Sequence, residues 1–440
     1  MKLQLVVWSN MESHKTLNLM ELPMELVVEI LKRVPAKSVC HIRCVSKMLL
    51  SIVDSPSFVR LHSTFLLDSD SHLPPAPPQF ILHFCLTDRY PSKPSLLFSF
   101  HSLHYDPSSA QGAQQLNPRL ILQSSTSHYS LEFVFCNLFC IEYWKDHALS
   151  FLINPLRGEV LRLPPNHSIA QQIGGPNSKA MYISTCMGFD SITNTYKILR
   201  VTDILIPKFS VAQVLVLGTS EWRQVTSPPA KALFRFQNIC AHGDTHWLLY
   251  PYTREGIQGQ VHILSFDFKK EEFFWVPIPY RLPDTCCQLH LINFRGSMAI
   301  VVDTTSGTNI EIWVMKNYIK KQWMLDYSIN IQVLELDLYP RFEYWKATCC
   351  EWKHGILFLL DYDGSATLTL VLDLRGPVVT KNLVKCPIEG KLLCRRIMSL
   401  NGGLISLKSY ANLEEAEEPA TYSDWSEGET SGRNFFYLTK

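Results

Sequence analysis

Three constellations in this chain have the residue types that do chemistry. Cys40, His41 and Cys44 could offer soft ligands to a zinc ion, but a closed zinc site takes four. No fourth ligand stands near them, and no Cys-x-x-Cys pair occurs in the chain. His242 and His246, close to Trp247 and Tyr250, are a second candidate. Two imidazoles at that spacing share a metal only if both point to one side, which a strand-and-turn setting does not guarantee. The third candidates are the lone carboxylates Asp190, Asp267 and Asp373, which fall in turns, where an Asp side chain closes the turn on its own backbone. No nucleophile elbow, phosphate loop or dinucleotide fingerprint occurs in a fitting context. The expectation is therefore no catalytic residue, no metal and no cofactor.

Bulk composition narrows the class further. The chain has 440 residues, with Lys+Arg 41 against Asp+Glu 40. That balance gives no basic footprint for nucleic acid or a membrane surface. Hydrophobic residues are 46% and charged ones 18%, a balance that favours packed domains over disorder. The longest apolar runs, such as Val211–Leu217 and Ile356–Leu360, are strand-length, far below the ~20 residues of a membrane helix. Thirteen cysteines at irregular spacing, with no secretory signal at the start, read as reduced thiols in a cytoplasmic or nuclear protein.

The elements that would position any site fall into two kinds. Residues 17–62 have a helical pattern: Leu26, Val27, Ile30, Leu31 and Val34 recur at three- and four-residue steps. Pro23 suits a first helical turn and Pro35 ends the helix. A short second helix starts at Ala36, and Ile42, Val45, Leu49, Ile52 and Val53 mark a third that ends near Asp54 to Pro56. Leu26 and Ile30 form one apolar line, and Val27, Leu31 and Val34 the next. So small a unit rarely folds alone, and an apolar line left uncovered marks an interface. Residues 1–16 read as a flexible N-terminus. Residues 63–79, with Pro74, Pro75, Pro77 and Pro78, read as a stiff linker that holds the helical unit away from the remainder of the chain.

From Phe80 to about 410 the period changes to short apolar runs broken by turn residues. The runs repeat: 132–164, 187–228, 241–277, 291–323 and 351–373 onward each give an apolar hairpin followed by a second strand pair. Four strands per unit of roughly 50 residues is a β-propeller blade of kelch length. The hairpin expected at 397–407 and the strands at 80–84 and 96–100 would combine into one composite blade that closes the ring. Six blades result, or seven if residues 100–130 hide another unit. Residues 411–440 begin with seven acids between Glu414 and Glu429 and no Lys or Arg before residue 430, an acidic tail expected to be disordered.

Residues 19–60 resemble the F-box of plant F-box proteins, through Leu22-Pro23, Glu29-Ile30-Leu31, Arg33-Val34-Pro35, Lys37-Ser38-Val39, Arg43 to Lys47, Ser55 to Phe58, and His62. The β region is similar to the F-box-associated domain of the same proteins. There the resemblance rests on Asn154-Pro155, Leu163-Pro164, Gly188-Phe189-Asp190, Thr193 to Lys197, Trp222, His246-Trp247, Ile263 to Asp267 and Ile312 to Met315. The chain departs from the pattern twice. Met48-Leu49-Leu50 stands where Ser-Trp-Arg is usual, which predicts a third helix packed less firmly. The turn from Cys136 to Leu138 lacks its glycine, which puts a left-handed turn there in doubt.

The resemblance implies a non-catalytic substrate receptor of an SCF ubiquitin ligase. Its F-box would bind a Skp-type adaptor, and through it cullin and the RING subunit, while the propeller captures an unknown protein target. Carried over residue by residue, Leu22 and Pro23 lead the adaptor contact. Leu26, Ile30 and Leu31 add apolar burial; Val34, Pro35, Ser38 and Val39 form the turn into the second helix. Ile42 and Val45 continue the surface or the small core. Burying five such side chains is worth roughly 8–15 kcal/mol before association costs. Two alternatives remain: an F-box protein acting outside a ligase, and a propeller enzyme or small-ligand binder. The stretches 166–180, 202–210, 251–260 and 281–289 are the candidate target-binding loops.

Overall fold

The computed structural model describes residues 4–5, 17–18, 21–34, 36–67, 79–86, 96–105, 113–124, 129–136, 138–143, 150–154, 157, 159–165, 180–204, 209–228, 238–249, 252–253, 256–257, 261–279, 288–303, 309–330, 348–352, 355–362, 366–374, 380–385, 392–400, 404–410 and 436–439. The expected linker from 68 to 78, Pro35 and the acidic stretch 411–435 lie outside them.

A short strand pair, Gln4–Leu5 with Leu17–Asn18, precedes four helices, where the sequence predicts three. Helix α1 (Met24–Leu31) starts on Pro23, whose carbonyl accepts the Leu26 and Val27 N–H groups at 3.0 and 3.1 Å. Helix α2 covers Ala36–Ile42. Helix α3 (Lys47–Asp54) is capped by Ser46, whose hydroxyl accepts the Leu49 N–H at 3.1 Å. The unexpected helix α4 spans Pro56–Leu67. Pro56 ends one helix and starts the next, because a proline tolerated at a first turn needs no amide hydrogen. Ser55 joins the two: its hydroxyl donates to the Ile52 carbonyl at 2.8 Å and accepts the Phe58 N–H at 3.3 Å. His62 on α4 is buried and donates from Nε2 to the Val34 carbonyl at 2.8 Å, tying α4 to the end of α1.

The β region forms, among the described residues, five four-stranded antiparallel sheets, one five-stranded sheet and a two-stranded ribbon of Tyr252–Thr253 with Gly256–Ile257. Tyr129–Phe135, Leu138–Tyr143, Ser150–Asn154 and Glu159–Arg162 make the first. The next four begin at Ala180–Asp190, Asn238–Ala241, Gln288–Phe294 and Thr348–Trp352. The last pairs Leu392–Leu400 with Gln79–Leu86, which continues into Leu96–Tyr105, Ala113–Ser124 and finally Phe436–Thr439. The first strand of each sheet packs beside the first strand of the next, and Leu392–Leu400 packs beside Tyr129–Phe135. That is the radial arrangement of a β-propeller, closed by strands from both ends of the domain. Leu96–Tyr105 and Ala113–Ser124, in the region where the sequence leaves room for a seventh unit, are strands of the closing sheet. Residues 404–410 do not complete the expected hairpin. They run as an irregular segment and a short 3-10 turn, Leu407–Tyr410, packed against the first sheet.

Local chemistry explains the repeat. The two-residue turns His242-Gly243 and Arg295-Gly296 have φ values of 55° and 86°, and 52° and 78°, the left-handed pair that a tight hairpin requires. Cys136 has φ 46°, so the first sheet keeps a left-handed turn without its glycine. Asp190, Asp267 and Asn317 each accept backbone N–H groups two or three residues on, closing three further turns. Trp222 and Trp323 staple neighbouring sheets, each indole N–H donating at 2.8 Å to the carbonyl of Pro164 or Pro277 at the end of the sheet before.

The helical unit is not held away from the propeller. Val27, Leu31, Val39, Leu49, Val53 and Phe58 share one continuous apolar cluster with Phe133, Leu138 and Leu163 of the first sheet, Met187, Phe189 and Tyr196 of the second, and Leu404, Ile405 and Leu407. A linker's proline content sets its stiffness but not its direction, and this chain folds the helices back onto the ring.

Candidate protein-docking surface

The two apolar lines of α1 separate in space. Val27 and Leu31 are buried in the shared core, while Leu26 is 50% exposed and Ile30 is partly covered. The predicted docking residues divide accordingly. Pro23, Leu26, Ser38 and Val45 are exposed, Val45 at 49%. Leu22, Val34 and Ile42 are half-buried against the core. Leu31 and Val39 are interior, so in this conformation they support the surface rather than form it. Pro35 lies outside the described residues.

Three exposed apolar side chains lie beyond the residues that the sequence singles out for docking: Met24, Leu61 and, at 39% exposure, Leu50. Met24 and Leu61 line a groove of about 760 Å³ together with Val28, Ile52, Phe58 and Arg60. Leu50 stands where related F-boxes carry arginine, and that departure is its only signal. Leu49 fills the neighbouring tryptophan position and is fully buried, so with the Ser46 cap α3 is anchored despite the substitution. Glu29 pairs with Lys32 at 2.6 Å and Arg33 at 2.9 Å along the α1 surface. Those two cations hold its carboxyl below the ordinary range.

A polar seam joins the helices to the propeller. Asp54, at the end of α3, accepts Arg43 Nη2 at 2.8 Å on one oxygen and Arg157 Nη2 at 2.6 Å on the other. Arg157 sits in the last turn of the first sheet. Its backbone N–H donates to Asn154 Oδ1 at 3.1 Å, and Asn154 Nδ2 donates to the Ile405 carbonyl at 2.7 Å. Glu159 accepts the Leu407 N–H at 2.6 Å. Arg60 on α4 stacks over the Phe189 ring, 5.3 Å from its centroid. Asn154 and Phe189 belong to the pieces that carry the family resemblance, and the structure gives them this interdomain role.

The remaining motif residues hold sheet to sheet. A Cβ on Gly188 would lie 2.1 Å from the Phe268 ring of the third sheet, so only glycine lets the two approach. Lys197 donates from Nζ to Asp190 at 2.7 Å, to Glu271 at 2.7 Å and to the Phe268 carbonyl at 3.0 Å. Burial alone would raise the Asp190 carboxyl, but Lys197 and the turn donors hold it at about 2.

The candidate metal sites do not assemble. Both His246 nitrogens are engaged: Nε2 donates to the Ala241 carbonyl at 3.0 Å and Nδ1 accepts the Ser265 hydroxyl at 2.6 Å. Burial pulls this imidazole down to about 3. His242 stacks on Tyr318 with ring centroids 4.4 Å apart, and its Nε2 accepts the Met298 N–H. Cys44 directs its thiol to the Cys40 carbonyl. Among the described residues, no group of three or more His, Cys, Asp and Glu could hold a metal ion, and no helix is long and apolar enough to cross a membrane.

A helical module with exposed apolar side chains, seated on a ring of antiparallel sheets, defines a class: a small helical unit carried by a β-propeller. The F-box domain matches residues 19–61, and the F-box associated beta propeller domain matches residues 82–348, more than half the chain. The protein belongs to the F-box associated beta propeller family, in a plant F-box architecture. F-box protein At1g52495 of Arabidopsis thaliana is 25% identical over 309 residues, which span 69% of this chain and 67% of that one. F-box protein At5g65850 of the same plant is 26% identical over 319 residues, spanning 70% and 71%. Two solved structures resemble it distantly. The Dos1 propeller has a TM-score of 0.34 at 10% identity, covering 69% of this chain and 80% of its own. An apocarotenoid oxygenase of Synechocystis has 0.31 at 10%, covering 69% and 71%. Likenesses at this level carry no argument about activity.

Proposed function

We propose that this protein is the non-catalytic substrate-recognition subunit of an SCF-type ubiquitin ligase. One observation carries the reading: α1 and the turn between α2 and α3 leave Leu26 and Val45 in solvent although the helical core behind them is complete. Exposed apolar side chains on a finished core fit a partner rather than a missing piece of the fold. On this reading Pro23, Leu26, Ser38 and Val45 meet a Skp-type adaptor directly. Leu22, Ile30, Val34 and Ile42 border them, and Leu31 and Val39 hold the surface in shape. The adaptor joins the receptor to cullin and the RING subunit, and the receptor acts by raising the local concentration of target near charged ubiquitin, in the cytoplasm or nucleus.

The domain plan we propose is an F-box at 17–62 with α4 carried on to Leu67, a connecting stretch to 79, a six-bladed propeller from 80 to 410 and an acidic tail. The F-box meets the ends of strands joined by the first and third turns of a sheet, at Cys136, Arg157 and Leu217. The stretches 166–180, 202–210, 251–260 and 281–289, largely outside the described residues, start and finish at the opposite strand ends. Target capture therefore belongs to the face away from the F-box.

The test is a pull-down of the full chain with a plant Skp-type adaptor. The parent binds, and Leu26→Asp with Val45→Asp weakens binding at least tenfold while leaving circular dichroism unchanged. No binding by the parent, or undiminished binding by the variant, overturns the proposal. Binding to the adaptor without cullin in the complex would instead favour an F-box protein acting outside a ligase, a reading to which Leu50 in the place of the usual arginine lends support.

A further inference from the structure

We propose that Asp54 and Arg157 are positioning residues that hold the F-box in one orientation on the propeller, and so set where a captured target stands relative to the ligase. This rests on the receptor reading above and deepens it. Apolar packing between the two units is broad but non-directional, and could be satisfied with the helices turned or slid. A part-buried ion pair is demanding in a different way: its geometry is directional, and removing one charge leaves the other short of a partner in a largely desolvated place. The Arg157 side chain is 2% exposed and reaches Asp54 at 2.6 Å across the domain boundary. Asp54 is clamped from its own side by Arg43 at 2.8 Å. Arg157 is in turn fixed by Asn154 and lies 3.9 Å from Glu159, and those two hold the Ile405 carbonyl and the Leu407 N–H. One line of polar contacts thus runs from α2 and α3, through the turn of the first sheet, to the segment beyond the ring-closing strand. Only one docking angle satisfies all of it. Arg60 over Phe189 adds a second point of contact on the next sheet, which opposes rotation about the first.

The experiment uses the full chain with Asp54→Asn, Arg157→Gln, the two together, and Arg157→Lys, read by hydrogen exchange, small-angle scattering and adaptor affinity. Each single variant should exchange at least tenfold faster in α3 and at 404–407, and scatter as a looser particle, while the sheets from 238 to 330 keep the parent rate. The double variant should be no faster than the worse single, and Arg157→Lys should recover at least half of the protection. Adaptor affinity should stay within twofold throughout, because Leu26 and Val45 lie outside the seam. Unchanged exchange, additive effects in the double variant, or a uniform rise across all sheets would overturn the proposal, the last by showing a stabilising pair without a positioning role. If the parent fails to bind an adaptor, the receptor reading falls, while the exchange data still decide whether the pair sets the docking angle.

Discussion

Single residues show how context decides between chemistry and structure. Glu351 is buried and accepts the Arg295 N–H at 2.6 Å; burial pushes its carboxyl up to about 8 despite that bond. A folded value above the ordinary 4.5 means the group favours the fold at low pH and progressively less as pH rises toward 8. His246 works in the other direction, losing stability as pH falls from 6.5 toward 3. Between pH 6.5 and 8 the Glu351 effect therefore stands clear of His246. Urea unfolding should show stability declining across that window, and Glu351→Gln should flatten the decline. A decline of equal slope in the variant would refute the assignment. Residue types alone are a poor guide here. The His242 and His246 spacing is visible in the sequence, but the Ser265 and Ala241 partners that occupy His246 come only with the sheet. On α3, Leu49→Ala should cost about 2–5 kcal/mol by leaving a cavity, while Leu50→Arg, on the solvent side, should change denaturant midpoints little.

Elements are legible where period and turn chemistry agree. The hairpins at 241–244 and 294–297 announce themselves by glycine between apolar runs, and the closing sheet is foreseeable because its halves lack partners nearby. The fourth helix escapes a sequence reading because Pro56 serves equally as a stop and as a start. The turn at Cys136 is doubtful from sequence because glycine is the usual answer to φ above zero, yet hairpin geometry imposes φ 46° on a cysteine. A left-handed residue with a Cβ is strained by roughly 1–2 kcal/mol, and part of that is offset by its smaller entropy in the unfolded chain. Cys136→Gly should therefore raise the unfolding free energy by up to about 1 kcal/mol, checked by guanidinium titration. Gly188→Ala should do the reverse and more strongly. The Phe268 ring lies in a buried cluster, and overpacking of that kind costs about 1–3 kcal/mol.

At the scale of the whole molecule, both units are legible in the sequence and their relation is not. The contact that decides it, Asp54 with Arg157, spans 103 residues, and no local pattern connects such positions. The docked arrangement changes what should happen when the units are separated. Residues 79–410 alone would expose the wall formed by Phe133, Leu138, Met187, Phe189 and Tyr196, which the helices now share. Light scattering should find that fragment self-associated at micromolar concentration and the full chain monomeric. A monomeric fragment would mean that the wall closes on itself.

The segment Leu404–Tyr410 has a further consequence for synthesis. The ribosome releases the F-box helices long before this segment, yet Val27, Leu31 and Leu49 share their core with Leu404, Ile405 and Leu407. The helices cannot settle into their final packing until Leu407 has emerged. A product of premature termination would carry the docking sequence without the wall that shapes it. If the proposed function holds, such fragments should compete weakly for an adaptor, so that completion of the ring itself selects which copies can dock.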